Sequence, residues 1–157
     1  MKRTTKIFGI ITTLAVALII GYLIFGLDLI PKSRLESSLR KAVKDNKGGT
    51  ISINDLTTFK WDRMDIYTPY STYKGANGKA IDVDEGECLL VFGYKGAVVS
   101  ILNYKRFYGD FSSLYREGGY SPSSARFKVP VKDQSNWIKL EWAQNESPAK
   151  GPSGLHR

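Results

Sequence analysis

Cysteine and histidine are almost absent from this chain: one Cys, at position 88, and one His, at position 156, next to the C-terminus. A lone cysteine excludes an internal disulfide framework and any zinc site built on several thiolates. A lone histidine at the chain end leaves little for histidine-dependent acid–base or nucleophilic chemistry. A glycine-rich phosphate loop is missing as well. Gly75 and Gly78 ahead of Lys79 have neither the spacing nor the following helix that such a loop needs, and they read as a turn. No internal repeat is found. These gaps remove most enzyme classes, and no cofactor is expected. The sequence speaks more clearly about location and build than about activity.

What the chain does have is an uneven distribution of apolar residues. From Ile7 to Leu27 run 21 residues without a charged side chain. As a helix this stretch would span about 31 Å, close to the thickness of a bilayer's hydrocarbon core. A cleaved signal peptide has a shorter apolar region and a small-residue cleavage pattern, which does not follow here. No cysteine near its end would allow lipoprotein processing. The expectation is a basic leader over 1–6, a single-pass transmembrane helix and signal-anchor over 7–30, a folded domain over 31–143 and a flexible tail over 144–157. Lys2, Arg3 and Lys6 on one side nearly balance Lys32, Arg34, Arg40 and Lys41 on the other. A short basic leader ahead of an apolar run is how export signals begin, so the domain is expected outside the cytoplasm of a bacterial cell, at its inner membrane. Gly9, Thr13, Ala17 and Gly21 recur every four residues, a spacing at which membrane helices approach closely, and so suggest a homodimer through this segment.

The 130 residues after Leu27 are enough for one ordinary domain. With 12% aromatic and 24% charged residues in the whole chain, disorder is not expected. Pro31 should break the chain's path, after which Ser33 and Glu36 match a capping box. Leu35, Leu39, Ala42 and Val43 then recur at helical spacing until Gly48 and Gly49. Beyond Thr50 the signals are those of strands: Ile51 to Ile53, an alternating Arg63 to Thr68, and two apolar runs, Cys88 to Phe92 and Ala97 to Leu102, joined by a hairpin at residues 93–96. Ala125 to Val131 and Ile138 to Trp142 alternate too, with Pro130 pointing to an edge or a bulge. Residues 106–124 leave room for a short helical turn. The expected fold class is α+β, an amphipathic helix packed on an antiparallel sheet of about five strands.

The most distinctive stretch is Phe59, Trp61 and Asp62 followed by Tyr67, Pro69, Tyr70 and Tyr73. Aromatic rings with hydroxyls suit sugar faces and peptide surfaces, because they bring large contact area at small entropic loss. Trp61, Asp62, Tyr67, Pro69, Tyr70 and Tyr73 are therefore the candidate binding surface. The competing reading makes Trp61 and Tyr70 core residues, with Asp62 bonding backbone N–H groups at a turn. Asp82, Asp84, Glu85 and Glu87 gather four carboxylates, as oxygen ligands for a divalent cation would, but without EF-hand spacing. That signal is weak, and a solvated acidic loop before a buried strand is the favoured reading, so no metal is expected. Paired carboxylates can cleave glycosides, yet nothing singles out one pair among Asp62, Asp65, Asp82, Asp84, Glu85, Glu87 and Asp110. Cys88, inside an apolar run, reads as a small buried hydrophobe. Without the three leader cations, the chain carries 20 basic and 15 acidic residues. That excess suits an anionic surface such as lipid headgroups or a cell-wall polymer. Tyr104, Lys105, Arg106 and Tyr108 set basic beside aromatic residues, as single-strand binders do. The charges are dispersed and no nucleic-acid motif is present, so nucleic acid is not an expected partner.

The phrase Phe59-x-Trp61-Asp62, then Pro69-Tyr70, then the strand at residues 90–92 resembles a group of small bacterial envelope proteins. Tyr104, Phe111, Ser121-Pro122 and Ala125-x-Phe127 add to the likeness, which covers about residues 50–142. The resemblance implies a membrane- or lipid-anchored envelope location and this fold, and no activity. The missing lipobox cysteine departs from its lipid-anchored members. The expected role is a non-enzymatic, membrane-tethered binding or accessory protein with an envelope protein or cell-wall polymer as partner. Three alternatives stand beside it: an immunity-type inhibitor of a toxin, a carboxylate-dependent envelope hydrolase, and a cytoplasm-facing regulatory domain should the topology be inverted.

Overall fold

The structure, a computed structural model, describes residues 29–76, 78–131 and 137–143. It opens on α1 (Leu29–Asp45), 17 residues long. Leu35, Leu39 and Val43 succeed one another at four-residue spacing and are buried, as the helical period requires. Arg34, Arg40, Lys41 and Lys44 are exposed on the remaining arc. The helix ends where the Gly49 N–H bonds to the Asn46 carbonyl at 2.8 Å and Gly48 takes a φ of 82°. Pro31 lies within α1, and so does Ser33, so the expected break and capping box are not its start. A proline in a helix's first turn removes an N–H that has no helical acceptor in any case, and no break is needed.

The expected transmembrane helix over 7–30 is corrected. No helix among the described residues is long and apolar enough to cross a membrane. Leu29 and Ile30, the end of that segment, open a helix rich in lysine and arginine. Each such residue at a bilayer's centre costs about 2.5–3.5 kcal/mol. The leader, the face of Gly9, Thr13, Ala17 and Gly21 with its homodimer, and the tail over 144–157 lie outside the described residues.

After α1 come β1 (Thr50–Ser52), the single turn α2 (Ile53–Leu56), β2 (Arg63–Tyr67), β3 (Thr72–Lys74), β4 (Ala80–Asp82), β5 (Glu87–Tyr94), β6 (Ala97–Lys105), a 3-10 turn (Arg106–Tyr108), β7 (Arg126–Lys128) and β8 (Glu141–Trp142). α+β stands, but the single sheet of about five strands does not. The strands divide among three antiparallel sheets, ordered β1-β7-β8, β2-β5-β6 and β3-β4. The outer edge of β2 continues for one residue only, in the bridge between Met64 and Tyr120. Gly118 and Gly119 turn the chain just before it with φ of 80° and 68°, and Pro122 just after it has no N–H to donate. A longer strand cannot form there.

β5 explains its own apolar run. Cys88, Leu90 and Phe92 enter the main core under α1, while Leu89 and Val91 enter a second, smaller core with Tyr73 and Val83. A strand covered on both faces reads as continuous apolar sequence rather than as alternation. The second core exists because the β3-β4 hairpin lies on the far face of the β2-β5-β6 sheet. The β5-β6 hairpin closes through Lys95 and Gly96, both with positive φ (52° and 80°), as a two-residue turn between twisted strands requires.

Candidate functional site

The six aromatic-loop residues do not share one surface. Trp61 is 5% exposed, sits edge-on to Phe92 at 5.4 Å and donates its indole N–H to Thr57 Oγ1 at 3.0 Å. Asp62 Oδ2 accepts the Lys95 N–H at 2.7 Å and so braces the β5-β6 turn. Tyr67 and Tyr73 meet edge to face at 5.2 Å, and Tyr73 is buried in the second core. Pro69 is half-buried. Tyr70 alone of the six stands out as a ring in solvent, 78% exposed, with a φ of 65° that few non-glycine residues adopt. Its N–H bonds to the Val83 carbonyl at 2.8 Å, and its hydroxyl reaches the Glu85 carboxylate.

The four carboxylates are also dispersed. Asp82 accepts from the Thr72 hydroxyl at 2.7 Å, across the β3-β4 hairpin. Glu87 accepts from the Asn103 amide on β6. Asp84 and Glu85 are exposed. Among the described residues no cluster of three or more His, Cys, Asp or Glu could hold a metal ion.

One polar cluster is not apparent from residue spacing. Arg106 grips Asp110 with two bonds, Nε to Oδ1 and Nη2 to Oδ2, each 2.9 Å. Asp110 also accepts the Ser112 N–H at 2.9 Å, and Arg106 donates to the Glu85 carbonyl at 2.7 Å while stacking on Trp137. Burial alone would push the Asp110 carboxyl up; the Arg106 and Ser112 bonds outweigh it and hold the group below its ordinary value. The side chain is 1% exposed and both its oxygens are engaged, so it is a bolt between loops rather than a base facing a cleft. Beneath it, burial first and the Asp110 charge second push the Cys88 thiol up to about 12. A thiol so protonated is no nucleophile.

An open groove of about 780 Å³ lies between the β3-β4 hairpin and β6. Tyr73, Ile81, Leu89, Val98 and Ile101 give it an apolar lining, and Lys79 and Asn103 stand among its polar residues. The hairpin covers the sheet's far face only in part, leaving Val98 48% exposed. Fold and site together define a small α+β domain with an apolar groove beside a strand at the edge of its sheet. The chain matches no protein-family model, and no curated protein or solved structure shows a significant match to it.

Proposed function

We propose that this domain works by binding a partner in the bacterial envelope rather than by catalysis. The observation that carries the reading is the apolar groove, large enough for several side chains and lined by the β3-β4 hairpin and β6. The Asp82 and Glu87 carboxylates, next in sequence or hydrogen-bonded to lining residues Ile81 and Asn103, are committed to Thr72 and Asn103. Support for an envelope partner comes from the Phe59-to-Phe127 likeness to envelope proteins. The test is photo-crosslinking in bacterial cells expressing the full chain, with the reactive residue placed at Val98 in the groove or at Lys41 on α1. A discrete adduct from position 98 and none from position 41 is the expected result. No adduct from position 98 overturns the reading.

A further inference from the structure

Cations are unevenly shared between α1 and the rest of the domain. Over residues 32–47, Lys32, Arg34, Arg40, Lys41, Lys44 and Lys47 stand against Glu36 and Asp45, whereas the sequence beyond is close to balanced. At 3.6 residues per turn, Arg34, Lys41, Lys44 and Arg40 fall within an arc of about 120°, opposite the buried Leu35, Leu39 and Val43. Glu36 and Asp45 fall on the two flanks of that arc, and Glu36 is half-buried. Arg40, Lys41 and Lys44 line a concavity of about 490 Å³ along the helix, together with those two acids and Ser37. Arg34 extends the row, which runs about 15 Å along the helix axis.

These cations are unspent. Elsewhere Arg63, Arg106 and Lys128 pair with Asp65, Asp110 and Glu141. Among the described residues, none of Arg34, Arg40, Lys41 and Lys44 forms an ion pair, although Glu36 and Asp45 stand one turn from Arg40 and Lys41. The Arg40 guanidinium lies 4.1 Å from the centre of the Tyr108 ring, and Tyr108 is itself packed on the core. A guanidinium held over a ring keeps its edge N–H donors for an anion, and its fork matches two phosphate oxygens at once. The apolar stripe of α1 is spent on the domain's core, so the helix has none left to sink into a bilayer. Among the described residues no aromatic side chain lines the concavity, so bases have nothing there to stack on. A linear row of one sign suits a flexible chain with a charge on every unit; a folded acidic protein would have to match it point by point. We propose that the outer face of α1 binds a linear, base-free polymer carrying phosphate on each unit. Arg40 grips one phosphate, and Arg34, Lys41 and Lys44 neutralise its neighbours.

This face and the groove lie on opposite sides of the β2-β5-β6 sheet, so the two readings fail separately. The probe is end-labelled inorganic polyphosphate, its binding to the full chain followed by fluorescence anisotropy. It should bind, with an affinity that falls as salt rises. Lys41→Gln with Lys44→Gln should weaken binding about tenfold and flatten the slope of log affinity against log salt by roughly 0.7 for each charge. Glutamine is a good helix former, so the fold is kept. Arg40→Lys keeps the charge, loses the fork and should also weaken binding. Lys60→Gln with Lys74→Gln removes the same charge from two exposed positions elsewhere and should change little. No binding overturns the proposal, and so does an Arg40→Lys variant that binds like the wild type. Equal losses from the two lysine pairs overturn it as well, since net charge alone would then be at work. Phosphatidylglycerol vesicles that displace the polymer at lower phosphate concentration would give the face to lipid instead. A single-stranded oligonucleotide of equal charge that binds more tightly would give it to nucleic acid. A discrete protein adduct from position 41 in the crosslinking experiment would give it to a protein; each of these three overturns the proposal.

Discussion

Asp110 illustrates what a single side chain can hold together. Its side chain, 1% exposed, fixes the Arg106 guanidinium and through Arg106 ties the Glu85 loop to the chain after β6. Its backbone pairs on the other side with Ile138 and Leu140, at 2.7 and 3.0 Å. Removing one partner of a buried pair strands the other charge, and typically costs about 3–5 kcal/mol. Asp110→Ala is expected to lose that much at neutral pH, read as a shift of the urea midpoint. The carboxyl is held below its ordinary value in the fold. The pair's contribution is therefore complete above the unfolded value of about 4 and fades as pH falls through the lower, folded one. Acidification should accordingly narrow the gap between the wild type and Asp110→Ala. A gap that does not shrink below pH ~4 would show that the ion pair is not what the substitution removes.

At the scale of elements, two glycines in turns of the same sheet make a controlled comparison. Gly96 closes the β5-β6 hairpin with φ of 80°, and a Cβ there would meet nothing within 4 Å. Gly96→Ala should cost only the left-handed backbone penalty, roughly 1–2 kcal/mol. Gly119 has φ of 68°, and its Cβ would come within 2.7 Å of the Met64 carbonyl oxygen and 2.6 Å of Asp65 Oδ1. Gly119→Ala should cost clearly more than Gly96→Ala in thermal or urea unfolding, since a backbone oxygen has to give way; equal losses would contradict the close approach. The 93–96 hairpin was legible in the sequence because two apolar runs flank its glycines. α1 was legible from Leu35, Leu39 and Val43, though its start was not, because Pro31 is equally at home in a helix's first turn. The β3-β4 hairpin was not legible: its strands are three residues each, with one inward side chain apiece, Tyr73 and Ile81, too few for a period to show. In the aromatic loop, the sequence did not tell Tyr70, in solvent, from Trp61, in the core. An indole N–H with a Thr57 acceptor four residues away is the one signal that could have separated them. The groove left no trace in residue spacing, because its lining comes from segments as far apart as Tyr73 and Asn103.

For the whole molecule, the compartment decides which partners the groove can meet, and the fold by itself is neutral on that point. The domain has one cysteine, buried at position 88, so no disulfide links its stability to an oxidising or reducing environment. Its core is assembled from α1, three small sheets and edge-to-face aromatic contacts such as Tyr104 with Phe111 and Phe111 with Phe127. None of these needs a particular cellular address. The envelope location proposed above makes a direct prediction of topology. A reporter active only outside the cytoplasm, fused after Arg157 in a bacterial host, is expected to be active, and a cytoplasmic reporter at the same position silent. The reverse pattern would move the groove's partner inside the cell. A regulatory role would then replace the envelope one.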